Sequence, residues 1–261
     1  MAARRLPDFV IGGAPRSGTT LLASLLDRHP RLWLAKPLRP EPKFFLVDEL
    51  YAEGLDRYAR WFDDAPPDAV VGEKSTNYLE SPVAAERLAR ALPEARLVFV
   101  LREPAARTVS NYRWSVMNGM EDEEFERALE LEEEREATVP TDLRYARPHA
   151  YASRSRYATL LRPWLDRFPR DHVLVLRFEE LVGDPGAATA RVHRFLGVEP
   201  RPALVDDVDL DPATVNPSSG PWTPDPATLR RLRRQFAEEN EVLAAMLGPE
   251  FEPWPEEEPP R

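Results

Sequence analysis

The chain has 261 residues, 43% of them hydrophobic, enough to bury one sizeable core, and its net charge of −10 excludes general nucleic-acid binding, which needs a basic footprint. It contains no cysteine, which excludes a disulfide framework and any thiolate metal site. Four scattered histidines (His29, His149, His172 and His193) lack ligand spacing, and no 18-residue apolar run offers a membrane span, so neither a zinc enzyme nor a membrane protein is expected.

The N-terminal stretch MAARRLPDF lacks the apolar segment of a signal peptide and leads directly into FVIGG (9–13), an uninterrupted run that predicts a strand buried on both faces. A Gly-rich stretch follows, then TTLLASLLDRHP (19–30) with helical periodicity ending at a proline. AVVGEK (69–74), RLVFVLR (96–102) and HVLVLRFEEL (172–181) read as further strands. Helices are expected over 82–92, 104–118 and 154–168, the last with Tyr157, Leu160, Leu161, Trp164 and Leu165 on one face. DPGAATARVHRFLG (184–197) carries Asp as N-cap, Pro at the first helical position and Gly as stop. The acidic stretch 121–136 reads as a solvated helix, and the proline-rich 198–224 as a long irregular loop. Strands alternating with helices imply an α/β fold with a mainly parallel sheet flanked by helices.

GGAPRSGTTL (12–21) reproduces the G-x-x-x-x-G frame of a nucleotide-binding P-loop, but Thr19 stands where an ATPase keeps its lysine. A strand, such a loop and a helix together make an anion site from backbone N–H groups. Pro15, Arg16, Ser17, Gly18, Thr19 and Thr20 supply it, with Arg16 as the one cation. In LREPAARTVSNY, Arg102 falls at a strand's C-terminal end, where open parallel sheets bind ligands, and Arg107 and Ser110 lie on the helix that Pro104 opens. All three lysines, Lys36, Lys43 and Lys74, lie in the first 74 residues around these segments.

APRSGTTLL resembles the 5′-phosphosulfate loop of the sulfotransferases, P-[KR]-S-G-T-T, which have a P-loop-like fold and use 3′-phosphoadenosine 5′-phosphosulfate (PAPS). LREPAARTVSNY resembles their 3′-phosphate element R-D-P-x-x-R-x-x-S-x-Y, with Glu103 for Asp. RPEPKFF (39–45) is similar to the K-E-P-[HK]-F-F segment of heparan-sulfate-type and many bacterial members, with Pro40 for lysine. GEKSTNYL (72–79) is similar to G-E-K-[ST]-P-x-Y, departing at Thr76-Asn77. SRYATLLRPWLDRFP and the terminal RRLRRQFAEENEVLAAMLG extend the likeness over most of the chain.

The resemblance implies sulfuryl transfer from PAPS to a hydroxyl or amine of a small-molecule, peptide or glycan acceptor, releasing 3′,5′-bisphosphoadenosine (PAP), with no metal required. It implies cofactor binding by Pro15, Arg16, Ser17, Gly18, Thr19, Thr20, Arg102, Ser110 and Tyr157, and catalysis by Glu41, Arg16, Lys43 and Lys74. Glu41, fixed between two prolines, is the expected base. Lys43 and Lys74 are expected to hold sulfuryl oxygens or keep Glu41 ionised, and His149 is an alternative base. A P-loop kinase and a catalytically silent PAP- or partner-binding module stay open as other readings. One domain is expected over 1–254, with a disordered Pro/Glu-rich tail at 255–261. A cytoplasmic location is expected, the Arg/Ala/Pro bias fits a GC-rich bacterial genome, and a homodimer is compatible with the sequence.

Overall fold

The computed structural model describes residues 5–140, 145–202 and 222–255. Most of the 198–224 loop, and the tail beyond Pro255, lie outside these residues.

The apolar run Phe9–Gly13 forms β1, buried at every position, and α1 (Thr19–Leu26) follows the Gly-rich loop. Then come β2 (Leu32–Leu34), the short helices α2 (Asp48–Ala52) and α3 (Leu55–Ala59), and β3 (Val70–Lys74). Next are α4 (Pro82–Ala91), β4 (Arg96–Leu101), α5 (Pro104–Met117), α6 (Phe125–Glu130) and α7 (Glu132–Thr138). The chain continues through α8 (Tyr157–Leu165), β5 (Val173–Arg177), α9 (Phe178–Gly183), α10 (Pro185–Phe195) and α11 (Pro226–Leu247).

The five strands form one parallel sheet in the order β2-β3-β1-β4-β5. Alternation along the strands divides the core between its two faces, as a sheet covered on both sides requires. Val10, Val71, Leu97, Phe99 and Val175 join Leu88, Leu161, Trp164 and Leu243 on one side. Phe9, Ile11, Val98, Val100 and Leu176 join Leu22, Leu25, Leu26 and Val192 on the other. Because β3 and β4 flank β1, the segments leaving their C-terminal ends lie side by side, and this edge carries the site.

Several sequence expectations change. The run 172–181 is a strand only to Arg177; the chain then turns into α9, with Glu179 and Glu180 in its first turn, where the helix dipole favours acids. The helix expected over 154–168 begins at Tyr157 after a single 3₁₀ turn at Ser153–Ser155, and α1 ends at Leu26 rather than at Pro30. The acidic stretch 121–136 is two short helices, and it is not simply a solvated face. Glu121 is buried, where it accepts from the Tyr151 hydroxyl and from Arg135 at 2.8 Å. Glu132 accepts from the backbone of Ala152 at 2.9 Å and Ser153 at 2.8 Å, fastening the stretch to the body. No helix among the described residues is long and apolar enough to cross a membrane.

Candidate active site

The loop between β1 and α1 places Arg16 at φ 69° and Gly18 at φ 81°, both left-handed. Glycine is required at 18 for a second reason: a Cβ there would lie 2.7 Å from the Phe178 ring. No side chain caps α1, so the N–H groups of its first turn remain available to an anion.

Arg16 is the most telling residue of the loop. Its Nε and Nη2 groups are buried without an acceptor from the protein. Burial first, and then the charges of Arg102, Arg107 and Arg39, push its pKa down to about 10. Four guanidinium groups thus act on one loop. Arg107 is fully buried and braces the loop from behind, donating to the Pro15 carbonyl at 3.2 Å and the Tyr151 carbonyl at 3.1 Å, with its Nη2 also lacking an acceptor. Orphaned buried donors are costly and uncommon, and they fit a bound anion. An adenosine carrying phosphates meets this test: Arg16, the first-turn N–H groups and the Thr19 and Thr20 hydroxyls are the groups that would hold its 5′ end.

Arg102 leaves the end of β4 with its guanidinium 4.8 Å above the Phe178 ring. Glu103 caps α5 by accepting from Ala105 at 2.9 Å and Ala106 at 2.7 Å, so Glu performs here the capping expected of Asp. Ser110 is buried on the same helix, 4% exposed. Tyr157 is placed differently from the expectation of direct cofactor contact: it is 1% exposed, and its hydroxyl donates to the Arg102 carbonyl at 2.9 Å. The ring therefore supports the strand end that presents Arg102, and the Ser17 side chain lies beside it.

A cavity of about 670 Å³ opens beside the loop and joins Arg16, Thr19 and Thr20 to Glu41, Lys43 and Thr76. Glu41 pairs with Lys74, whose side chain is 2% exposed against 12% for the glutamate. It also accepts from the Thr76 backbone at 3.1 Å and from the Thr76 hydroxyl at 3.2 Å. An ionised carboxylate has about four acceptor positions, so three donors leave room for one more, and Glu41 lines the cavity. Burial lowers the pKa of Lys43, with Glu41 opposing that shift. Its ammonium sits 4.6 Å over the Tyr145 ring.

Beneath this pair Glu73 is wholly buried, and burial pushes its pKa up to about 7 against the hydroxyls of Tyr58, Tyr78 and Ser75. Ser75 donates to Glu73 at 3.2 Å and accepts from the Lys43 backbone at 2.9 Å, while Tyr78 accepts from the Phe45 backbone at 3.1 Å. These bonds fix the 41–45 segment to the end of β3.

Sequence reasoning singled out neither Thr76 nor Arg39. Arg39 donates to the Thr20 hydroxyl at 3.0 Å from across the cavity, so a cation is present one residue before the family's lysine position. The Pro40 departure could have prompted a search for it. Lys36 pairs with Asp27 and does not line this cavity. His149 lies outside it, 3.8 Å from Glu121, and His29 is buried against His193 with ring centroids 4.6 Å apart. No group of three or more potential metal ligands occurs among the described residues.

Residues 6–222 match the model of the sulfotransferase domain family. Among curated proteins, the chain is 31% identical over 196 residues to the heparan sulfate glucosamine 3-O-sulfotransferase 6 of Homo sapiens, covering 75% of this chain and 54% of that protein. It is 29% identical over 204 residues to the bifunctional heparan sulfate N-deacetylase/N-sulfotransferase 2 of Homo sapiens, covering 75% of this chain and 22% of that one. The chain thus matches about half the length of the first relative, and less of the second. Among solved structures, a sulfotransferase from Alicyclobacillus acidocaldarius superposes with a TM-score of 0.75 at 30% identity, covering 93% of this chain and 96% of that one. The sulfotransferase domain of the curacin biosynthetic pathway, at 18% identity and TM-score 0.54 over 89% and 98%, shares the fold.

Proposed function

Because the chain belongs to the sulfotransferase family, we propose that it transfers the sulfuryl group of PAPS to a hydroxyl or amine of a small-molecule, peptide or glycan acceptor. The observation that carries this reading is Arg16: two buried guanidinium donors without an acceptor, in a loop that opens an uncapped helix. Arg16 itself lines the cavity that also holds Glu41.

Sulfuryl transfer breaks the bond from sulfur to the 5′-phosphate oxygen and forms one to the acceptor oxygen, so negative charge grows on the leaving phosphate. Arg16 and the first-turn N–H groups of α1 sit where they would meet that charge, a preorganised electrostatic contribution. This explains the missing Walker lysine. The leaving group needs no γ-phosphate clamp, and Arg16 and Arg39 supply cations from within and across the loop. Pro15, Ser17 and Gly18 shape the turn. Thr19 and Thr20 offer hydroxyls to the 5′-phosphate, and Arg102 with Ser110 on α5 takes the 3′-phosphate. Tyr157 acts indirectly by holding the Arg102 backbone.

Glu41 takes the acceptor proton through its remaining lone-pair position, while Lys74 and Thr76 hold its orientation. Lys43 reaches the same space and would contact the sulfuryl oxygens. The kinase reading is weaker because its phosphate lysine is absent. Transfer without a metal, a cytoplasmic location, a bacterial source and one domain over 1–254 belong to the same proposal. The test is labelled transfer from PAPS, together with melting temperature under PAP, ADP and ATP. PAP should stabilise selectively by mass action. A chain stabilised by ATP with Mg²⁺ and indifferent to PAP would defeat the assignment.

A further inference from the structure

Resting on the sulfuryl-transfer reading above, we propose that Arg113 joins Arg102 and Ser110 at the 3′-phosphate of the cofactor, giving its unmatched Nε–H to that group and so setting the preference for a 3′-phosphorylated nucleotide. Among the described residues, buried guanidinium nitrogens without an acceptor occur on three arginines: Arg16, Arg107 and Arg113. Arg16 and Arg107 belong to the loop that takes the 5′ end. Arg113 lies elsewhere, on α5. An orphaned buried donor is costly, and this one needs an acceptor of its own.

The helix sorts its side chains by direction. Asn111 and Trp114 line the cavity that also holds Glu41. At 3.6 residues per turn Ser110 comes next around α5, and Arg113 lies about 60° beyond it, on the side away from those two. Arg102, at the start of the same helix, feels its charge: burial first lowers the Arg102 pKa, Glu179, Tyr157 and Glu103 oppose the shift, and Arg113 lowers it further. The guanidinium is also fixed in place. Its Nη2 donates to the Trp222 carbonyl at 2.5 Å, and its central carbon lies 5.8 Å from the Trp222 ring. That ring in turn packs against Tyr112 at 5.2 Å and Phe125 at 5.4 Å. Among the described residues Arg113 thus bonds a neutral carbonyl and no carboxylate, so its charge stays uncompensated. A held guanidinium with one N–H to spare, one turn from Ser110, suits a phosphate oxygen.

The test is calorimetric titration of the full chain with PAP and with adenosine 5′-phosphate, which differ only in the 3′-phosphate. Arg113→Gln should raise the Kd for PAP about 10-fold, the size of a charge-assisted hydrogen bond, and leave that for adenosine 5′-phosphate within about twofold. Arg113→Lys keeps the charge but loses the Nε–H, so its loss of PAP affinity should fall between, about 3-fold, again with adenosine 5′-phosphate unmoved. It decides the question alone if the glutamine variant fails to fold. Equal weakening of both nucleotides would make Arg113 a brace for Trp222 and overturn the proposal. An unchanged ratio of the two affinities in either folded variant overturns it too. A wild-type protein that binds PAP no better than adenosine 5′-phosphate would defeat the cofactor reading beneath it as well.

Discussion

Arg16→Asn should make the ligand-free protein more stable while removing its response to PAP. The wild-type guanidinium is held in a part-buried site beside three like charges, and its pKa falls from 12.5 to about 10. Keeping it charged there costs roughly 3 kcal/mol at neutral pH. The side chain still meets some solvent, and its stem contributes packing, so a net gain of about 1–2 kcal/mol on removal is the sounder figure. Asparagine tolerates the left-handed backbone at φ 69° without adding the chain entropy that glycine would. For a domain of this size the gain corresponds to roughly 2–6 °C in Tm. PAP at a hundred times its Kd should add about 2.7 kcal/mol to the wild type and almost nothing to the variant. The melting curves should therefore exchange order, with the variant higher without ligand and lower with it. Scanning fluorimetry of both proteins, with and without PAP, reads this directly. A ligand-free variant that melts below the wild type, or one that PAP stabilises as before, would refute the claim that Arg16 is stored strain directed at an anion.

Glu41→Gln should lower turnover with PAPS by about a hundredfold or more while PAP stabilisation persists, because a general base is lost and the cradle is untouched; normal turnover would remove Glu41 from that role. Gly18→Ala meets the Phe178 ring at 2.7 Å in a left-handed turn, so it should cost about 1–3 kcal/mol in urea unfolding and weaken PAP binding. Burial raises the folded pKa of Glu73 to about 7, so its contribution is fully present below the unfolded carboxylate range and is lost as pH rises through 7. That amounts to about 3 kcal/mol between pH 5 and 8, and Glu73→Gln should flatten this slope in a series of urea midpoints. An unchanged slope would show that other groups set it.

The strands were legible where burial on both faces leaves an unbroken apolar run, as in Phe9–Gly13 and Arg96–Leu101. β2 was missed because three residues, Leu32–Leu34, are too few to show a pattern, and the strand exists through its pairing with β3. The fate of 172–181 was hidden for a related reason. Apolar residues continue across Arg177, while the switch to helix comes from Phe178 turning in against Gly18. In the acidic stretch, composition suggested solvent on every side, and only tertiary contact brings Glu121 to Tyr151. At the site, spacing identified the loop and the Glu41 segment as motifs. That Lys74 and Thr76 converge on Glu41 depends on β3 lying beside β2, which spacing along the chain cannot convey.

The two ends of the cavity are incomplete in opposite senses. Around Arg16 there are more donors than acceptors: Nε and Nη2 of Arg16 and Nη2 of Arg107 are buried and unmatched, and no side chain caps α1. At Glu41 the imbalance is reversed, with an acceptor position left after Lys74 and Thr76 have bonded. A protein selected only for stability would remove both, since unmatched buried groups cost more than a satisfied apolar packing. An anion at the first and a hydroxyl proton at the second would satisfy them together, and a bound phosphosulfate beside an acceptor alcohol presents those two groups across one short gap. Neither group alone does so: ADP matches only the first, and an alcohol without the cofactor matches only the second. Stabilisation by cofactor and acceptor together should therefore exceed the sum of the two separate effects.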